Sequence, residues 1–539
     1  MATYVFSGSG NLSIPTFDPV NDTIVFDNLD AADIASISQT NTSVTVTLTN
    51  GNAAVLGGVI LASLTSTSFQ AGTNSDLQFA IGTAAGEIVD GNVVLGLAGD
   101  DDTILQSDNA LYYGNQGNDI LNGNGFENAR IFGGQGNDQL FDFGSGSVVY
   151  GGLGGDFIDA TLANAGESVT IYGGNGLADA EDLADQIIVT LAADTSAAIY
   201  GNAGDDIINV FGAGDASVYG GRGDDQIFAS INGGTVVGGL GTDTINVVAA
   251  GADASFSVFG GNGTADPTDG ADIINVTLLA DSKAEVYGNG GADDINLLGA
   301  NGGTYSVFGG AGNDTISGGG AADPGVVGNG SVIYGGLGAD TINLAIAQDN
   351  GQITVYGGNG QADAADGNDV ITVALTNVAG NAIQTASIFG NGGNDTINVS
   401  GAGTATVFGG AGNDTIDVGA GFGAHVLTGG IGNDTFDIRD AGNTASADQI
   451  VSITDFAFGQ DAILFSGGAV SSAITVNASS VANFAALEAL DNGTAGQVTI
   501  ANVATGSLAG TYALYNDQVV EITGFTGTVN ADSFAPLTA

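Results

Sequence analysis

The chain contains no cysteine and no tryptophan, a single histidine, His425, and only four cations, Arg130, Arg222, Lys283 and Arg439, in 539 residues. Without cysteine there are no disulfides to hold a fold and no thiol chemistry. So few basic residues make no surface for nucleic acid or anionic lipid, both of which want basic patches. The longest apolar run, near Val55 to Leu64, is far shorter than the roughly 20 residues of a membrane-spanning helix. The opening Met1-Ala2-Thr3-Tyr4-Val5-Phe6 lacks both the basic and the apolar region of a Sec signal. Any export is then expected to proceed without an N-terminal signal.

Acid is what the chain has instead. Its 59 Asp and Glu against four Lys and Arg give a formal charge of −55. Such charge often means disorder. Here 43% of residues are hydrophobic and only 12% charged, which leaves ample material for a core. A folded chain with this charge needs counter-charge, and bound divalent cations are the simplest source.

One pattern recurs through the middle of the chain: an apolar pair followed by G-G-x-G-x-D-x-I. Clean copies are Ile131 to Asp138, Val307 to Asp314 and Val407 to Asp414. The first glycine falls at 96, 114, 133, 151, 173, 201, 220, 238, 260, 288, 309, 335, 357, 390, 409 and 429, mostly 18 to 22 residues apart. The copy at Gly96 is irregular, because Asp100, Asp101 and Asp102 blur its register. The copies form groups of four that begin at 96, 173, 260 and 357, and from the second group on the leading copy carries an acidic insertion. Second copies read G-N-x-G, at Gly114, Gly201, Gly288 and Gly390.

The residue types carry a chemistry. Glycine permits positive φ and close backbone approach, so carbonyl oxygens can turn into a loop. Aspartate adds a hard anionic oxygen, and Ca²⁺ takes six to eight such oxygens in flexible geometry. One loop supplies too few ligands, so neighbouring turns are expected to share each ion. The expected metal ligands are therefore the motif aspartates Asp101, Asp119, Asp138, Asp156, Asp185, Asp206, Asp225, Asp243, Asp272, Asp293, Asp314, Asp340, Asp369, Asp395, Asp414 and Asp434. Turns of a parallel solenoid stack about 4.8 Å apart. At an effective dielectric of about 20, two such charges repel by roughly 3.5 kcal/mol. One Ca²⁺ per gap would bring roughly 30 positive charges, over half of the deficit of 55.

Over roughly residues 96 to 440 these motifs resemble the RTX family, the hemolysin-type calcium-binding repeats of bacterial type I secretion substrates. The resemblance implies an all-β fold: a right-handed parallel β-roll or β-solenoid of about 16 turns, with calcium in its loops. The family's tandem repeat spacing puts ion-binding loops on both edges. Here the wider spacing leaves opposite loops such as Ser400-Gly401-Ala402-Gly403-Thr404-Ala405 with few acids, so ions are expected along one edge only.

Two further features accompany the motif. The insertions share a spacing: Asp179, Asp182, Asp185; Asp266, Asp269, Asp272; and Asp363, Asp366, Asp369. These carboxylates either hold additional Ca²⁺ or are solvated loop charges. A stripe also precedes the glycines at Tyr113, Phe132, Tyr150, Tyr172, Tyr200, Tyr219, Val237, Phe259, Tyr287, Phe308, Tyr334, Tyr356, Phe389, Phe408 and Leu427. Strand alternation points it outward, either as a self-stacking ladder or as a packing surface, and the two are compatible.

The ends differ from the middle. Residues 1–95 lack the motif, but alternating runs such as Ser43-Val44-Thr45-Val46-Thr47-Leu48 predict a small β domain. Residues 96–440 form the roll, and 441–539 resemble the cap and uncleaved C-terminal signal of type I export substrates. No HExxH helix or G-x-S-x-G elbow is present, and Arg130 and Arg222 lie several turns apart, so the chain is not expected to be an enzyme. The expectation is a secreted, extracellular calcium-binding protein of the bacterial cell surface, self-assembling into a surface layer, filament or matrix. The alternative is a calcium-dependent adhesin or carbohydrate-binding surface module, and after it a polysaccharide-active enzyme. Expected partners are further copies of itself, a type I exporter and a cell-surface polysaccharide, with no nucleic acid and no membrane span.

Overall fold

Each repeat makes two strands, one on either side of its glycine–aspartate loop. In the copy at Gly133 these are Arg130–Gln135 and Gln139–Phe141. Every turn lays one strand on each of two parallel sheets, and the chain is a parallel β-solenoid. The computed structural model describes residues 2–523 except 30, 65–67, 73–78, 82–90, 177–181, 264–268, 300–302, 320–326, 347–350, 361–365, 376–383, 402, 420–423, 439–449, 458, 466–471, 492, 495–496 and 517. It divides into two units, Met1–Ala250 and Gly251–Ala539.

In the first unit, a three-stranded parallel sheet (Thr3–Phe6, Thr23–Phe26, Phe69–Ala71) accompanies an antiparallel meander. The meander runs through Ile34–Thr40, Ser43–Leu48 and Ala53–Gly57. Ile24, Phe26, Val46 and Phe69 share one core with Val93, Leu95 and Leu111, so this small domain packs on the first turns of the roll. Parallel pairing already joins Val93–Leu95 to Leu111–Tyr113, ahead of the first motif glycine. In the second unit the ladder passes residue 440: Val451–Ile453 pairs with Val426 and Leu427, and Ala462–Leu464 pairs with Thr435–Asp437. Four strands from Ser472 to Ile522 and one short helix, Phe484–Glu488, follow. Among the described residues no helix is long and apolar enough to cross a membrane.

The period of two fills the interior. Ile131, Val149, Ile171, Ile199 and Val218 of one sheet, and Leu140, Ile158, Ile187 and Ile208 of the other, are 0% exposed. Each such side chain contributes about 1.5–3 kcal/mol by leaving water. β-Branched residues fit this pleated, two-sided core.

The stripe before the glycines faces outward and stacks. Tyr113, Phe132, Tyr150, Tyr172, Tyr200 and Tyr219 form one column, with ring centroids 4.6–5.0 Å apart and planes within 10°. In the second unit Phe259, Tyr287, Phe308, Tyr334, Tyr356, Phe389 and Phe408 stack at 4.7–5.0 Å. The parallel register sets this spacing, which lies within the centroid range of stacked aromatic pairs. Leu427 does not belong to the stripe. It pairs with inward Val407 and is 0% exposed, while Thr428 pairs with Phe408 and takes the outward place. The last repeat reads Leu-Thr-Gly-Gly, with the apolar residue one position earlier than the ring in Val-Phe-Gly-Gly.

The second motif position explains the G-N-x-G copies. Outside the copies that carry the insertions, its glycines have positive φ, as at Gly134 (122°) and Gly310 (120°). In the variant copies Asn115, Asn202, Asn289 and Asn391 hold φ between 75° and 84°. Asparagine is among the few residues with a side chain that tolerate this region.

Candidate metal centre

The motif aspartates form a buried column along the edge where the two sheets meet. In the first unit the amides of Asp101, Asp119, Asp138, Asp156, Asp185, Asp206 and Asp225 each donate to Oδ1 of the motif aspartate one turn on, at 2.7–2.9 Å. The same chain of bonds runs from Asp272 through Asp293, Asp314, Asp340, Asp369, Asp395 and Asp414 to Asp434, at 2.8–2.9 Å. Each aspartate carbonyl meanwhile accepts from the strand of the next turn, as Asp138 does from Phe157. All sixteen predicted motif aspartates, Asp243 included, are at most 2% exposed. In the irregular first copy Asp101, not Asp100 or Asp102, takes the rung.

The other carboxylate oxygen is left over. Oδ2 of Asp119, Asp138, Asp156, Asp185, Asp206 and Asp225 is buried without a hydrogen-bond partner. The same holds for Asp293, Asp314, Asp340, Asp369, Asp395 and Asp414. Orphaned buried oxygens are rare and call for an explanation. Each lies against the first glycine of its own motif and near the first-glycine carbonyl of the following turn. Beside Gly133 these atoms are Asp138 Oδ2 and the Gly151 carbonyl oxygen. Any Cβ at that glycine would strike both, which is why the position is glycine. Among the described residues no three acidic, His or Cys side chains converge on one point. A cation here would therefore draw on carbonyl as well as carboxylate oxygens. This is a hard, all-oxygen donor set of the kind that suits Ca²⁺.

Electrostatics agree with unsatisfied charge. Burial, reinforced by neighbouring aspartates, pushes the carboxyls of Asp138 and Asp225 up to about 8 and that of Asp185 up to about 9. Burial raises Asp119, Asp314 and Asp414 to about 6. Hydrogen bonds from the adjoining aspartate amides act in the opposite direction, and burial wins. Loss of water is a larger cause of these shifts than repulsion between stacked carboxylates.

The insertions bring a second carboxylate to the edge. Oδ2 of Asp182, Asp269 and Asp366 lies against the second motif glycine, Gly174, Gly261 and Gly358, one residue along from the place of the motif aspartate. Asp182 contributes to the raised carboxyl of Asp185. Asp366 Oδ2 accepts from the Gly392 amide at 3.2 Å. Asp179, Asp266 and Asp363 lie outside the described residues.

Several participants were not singled out from sequence. Asp461 adds a rung beyond the sixteen: its Oδ1 accepts from the Asp434 amide, its Oδ2 from the Ala457 amide, and its own amide donates back to the Ala457 carbonyl. Gly459-Gln460-Asp461-Ala462-Ile463 carries a remnant of the motif, with a single glycine. Asp455 accepts from the amides of Gly429 and Gly430, the final glycine pair. A second ladder runs beside the first, in which Asn137 donates from its amide to Asn118 Oδ1 and Asn413 likewise to Asn394. The recurring Asn-Asp pair was its signal.

The few basic groups do not gather. The Arg130 guanidinium donates to the carbonyls of Ala31, Ile34 and Ala35, tying the N-terminal domain to the roll. His425 is buried, accepts from the Ala405 amide at Nδ1, and is held by burial at about 4. Arg222 and Lys283 are exposed, and Arg439 lies outside the described residues. Compared with known proteins, the chain matches no family model and no curated protein.

Proposed function

We propose that the chain is an RTX-type, calcium-dependent structural protein, exported by a type I system and assembled with further copies of itself at the bacterial cell surface. One observation carries this reading: a buried carboxylate oxygen without a hydrogen-bond partner, beside a glycine carbonyl, recurs turn after turn. Asp119, Asp138, Asp156, Asp185, Asp206 and Asp225, and their counterparts from Asp293 to Asp414, would hold the ions with those carbonyls. Bound Ca²⁺ supplies positive charge to an edge whose carboxylates otherwise lose hydration without compensation. The protein's own part is to position oxygens: the aspartate amide ladder fixes each carboxylate, and glycine clears the space between turns. Asp182, Asp269 and Asp366 extend the same edge.

The reading is non-catalytic. His425 is buried and engaged, and Arg130 is spent on backbone carbonyls. An adhesin remains the second reading. The ring columns do not favour it, because stacked rings cover each other's faces and offer mainly edges, whereas a sugar packs on a ring face.

The test is circular dichroism and electron microscopy of purified protein with Ca²⁺ and with chelator. Chelation at neutral pH is expected to abolish the sheet signal and Ca²⁺ to restore it, with sheets or fibres formed in Ca²⁺. A sheet signal indifferent to chelation would defeat the calcium reading. Monodisperse particles in abundant Ca²⁺ would defeat the assembly reading alone.

A further inference from the structure

In the first unit the N-terminal domain borders the outward groove beside the ring column. Together with the first turns of the roll it lines a half-open groove of about 560 Å³, within the range of small-ligand sites. Tyr113, Phe132 and Leu97 belong to its wall on the roll side, and Gln39, Ile60 and Leu61 line it from the N-terminal domain.

The lining is unusual for this chain. A protein with 59 acidic residues places none here, and no cation either. Five carboxamides stand in their stead: Gln39, Asn115, Gln116, Gln135 and Asn175. Each carboxamide offers two donors and an acceptor oxygen with two lone pairs. Exposed Gln116 and Gln135 share one hydrogen bond, Nε2 to Oε1 at 3.2 Å, which leaves both with capacity for a ligand. The frame around them is fixed: Gln39 Oε1 accepts from the Leu61 amide at 2.8 Å, and Asn115 Nδ2 donates to the Tyr113 carbonyl at 3.1 Å. Tyr113 Oη accepts from the Ile37 amide at 3.0 Å, pinning the domain to the wall. The corresponding groove in the second unit, about 290 Å³ around Phe389, Phe408 and Ile431, carries Asn391 alone among amides.

Neutral donors and acceptors beside aliphatic side chains and the edges of stacked rings, with no fixed charge, match a ligand that is uncharged, rich in hydroxyls and partly apolar. We propose that this groove binds a neutral glycan, one or two sugar units of an oligosaccharide, with Gln116 and Gln135 as the principal hydrogen-bonding side chains. The site gives chemistry to the polysaccharide partner and does not depend on assembly.

The experiment titrates full-length, calcium-loaded protein with maltotriose, cellotriose and mannotriose by calorimetry, with trigalacturonate as the charged control. At least one neutral trisaccharide is expected to bind with Kd below about 1 mM, and trigalacturonate not to bind. Gln116→Ala with Gln135→Ala should weaken binding about tenfold or more, two lost hydrogen bonds at about 1 kcal/mol each. The dichroism of the calcium-loaded fold should not change. Gln39→Ala, on the N-terminal domain's side of the groove, provides an independent variant with the same expected direction. No binding of any neutral trisaccharide at 10 mM (about tenfold above the expected Kd), or equal binding by wild type and both variants, would overturn the proposal. Either result leaves the calcium and assembly readings standing, since these are judged by dichroism and microscopy.

Discussion

At the scale of single residues, the aspartate column makes stability depend on pH in a direction set by burial. Folded-state values of about 6 to 9 for Asp119, Asp138, Asp185, Asp225, Asp314 and Asp414 lie above the ordinary 3.8. Without metal, the folded chain then holds more protons than the unfolded chain between those limits, so its stability falls as pH rises through that window. Protein in chelator should show its strongest sheet signal near pH 4 and lose it towards pH 9. Ca²⁺ requires ionised carboxylates, so in its presence the dependence should reverse, with loss on acidification. Parallel dichroism titrations check both arms, and a flat curve in chelator would refute the burial account. The glycines make a second claim. Gly309→Ala would push a methyl between the Asp314 carboxylate and the Gly335 carbonyl, and should weaken calcium binding and cost about 1–3 kcal/mol. Asn391→Gly, at φ 76°, should be nearly neutral, while Asn391→Ala costs about 1 kcal/mol. Calcium titration followed by denaturant melts of the three variants separates these cases.

At the scale of elements, the ring column behaves as a chain of pair contacts. Phe308 stacks on Tyr287 and Tyr334, both at 4.9 Å, whereas Phe408 stacks only on Phe389, at 5.0 Å. Each pair is worth about 0.5–1.5 kcal/mol beyond area burial. Phe308→Ala should therefore cost clearly more than Phe408→Ala in urea melts of calcium-loaded protein, and Thr428→Tyr should add a rung and stabilise. Equal losses would mean that the rings contribute burial alone. Much of this element was legible in the sequence, because the motif fixes the phase of each turn and alternation then assigns every side chain to a face. Ile131 inward and Phe132 outward follow from Gly133 alone. The reading failed where local chemistry departed from the repeat. Leu427 is apolar but one residue out of phase, and Asp461 keeps its rung with one glycine of the motif left. The amide ladder that orients each carboxylate could not be read, since spacing gives which residues stack but not which oxygen meets which amide. The orphaned Oδ2 atoms are a fact of side-chain placement, visible only in the structure.

At the scale of the molecule, charge and assembly meet. With a formal charge of −55, copies of the chain repel one another until cations intervene. Within the second unit the insertions after Gly260 and Gly357 are four turns apart, which would place them about 19 Å from each other along the loop edge. On the assembly reading they are points where calcium bridges neighbouring copies. Replacing Asp266 and Asp269 with Ser should leave the calcium-loaded fold intact by dichroism and reduce polymer size by light scattering. Altering all three insertions should reduce it further, and wild-type polymers from that variant would remove these loops from the contact.

The last rung bears on the direction such growth can take. Asp461 turns its amide back to Ala457 and receives the Ala457 amide in return, so the hydrogen-bond relay that climbs the edge closes on itself there. Among the described residues, a second molecule arriving end-on would find no open donor on that rung to graft its own aspartates upon. The edge is finished there, like a hem. On the assembly reading, copies of this chain would be laid side by side, not joined nose to tail.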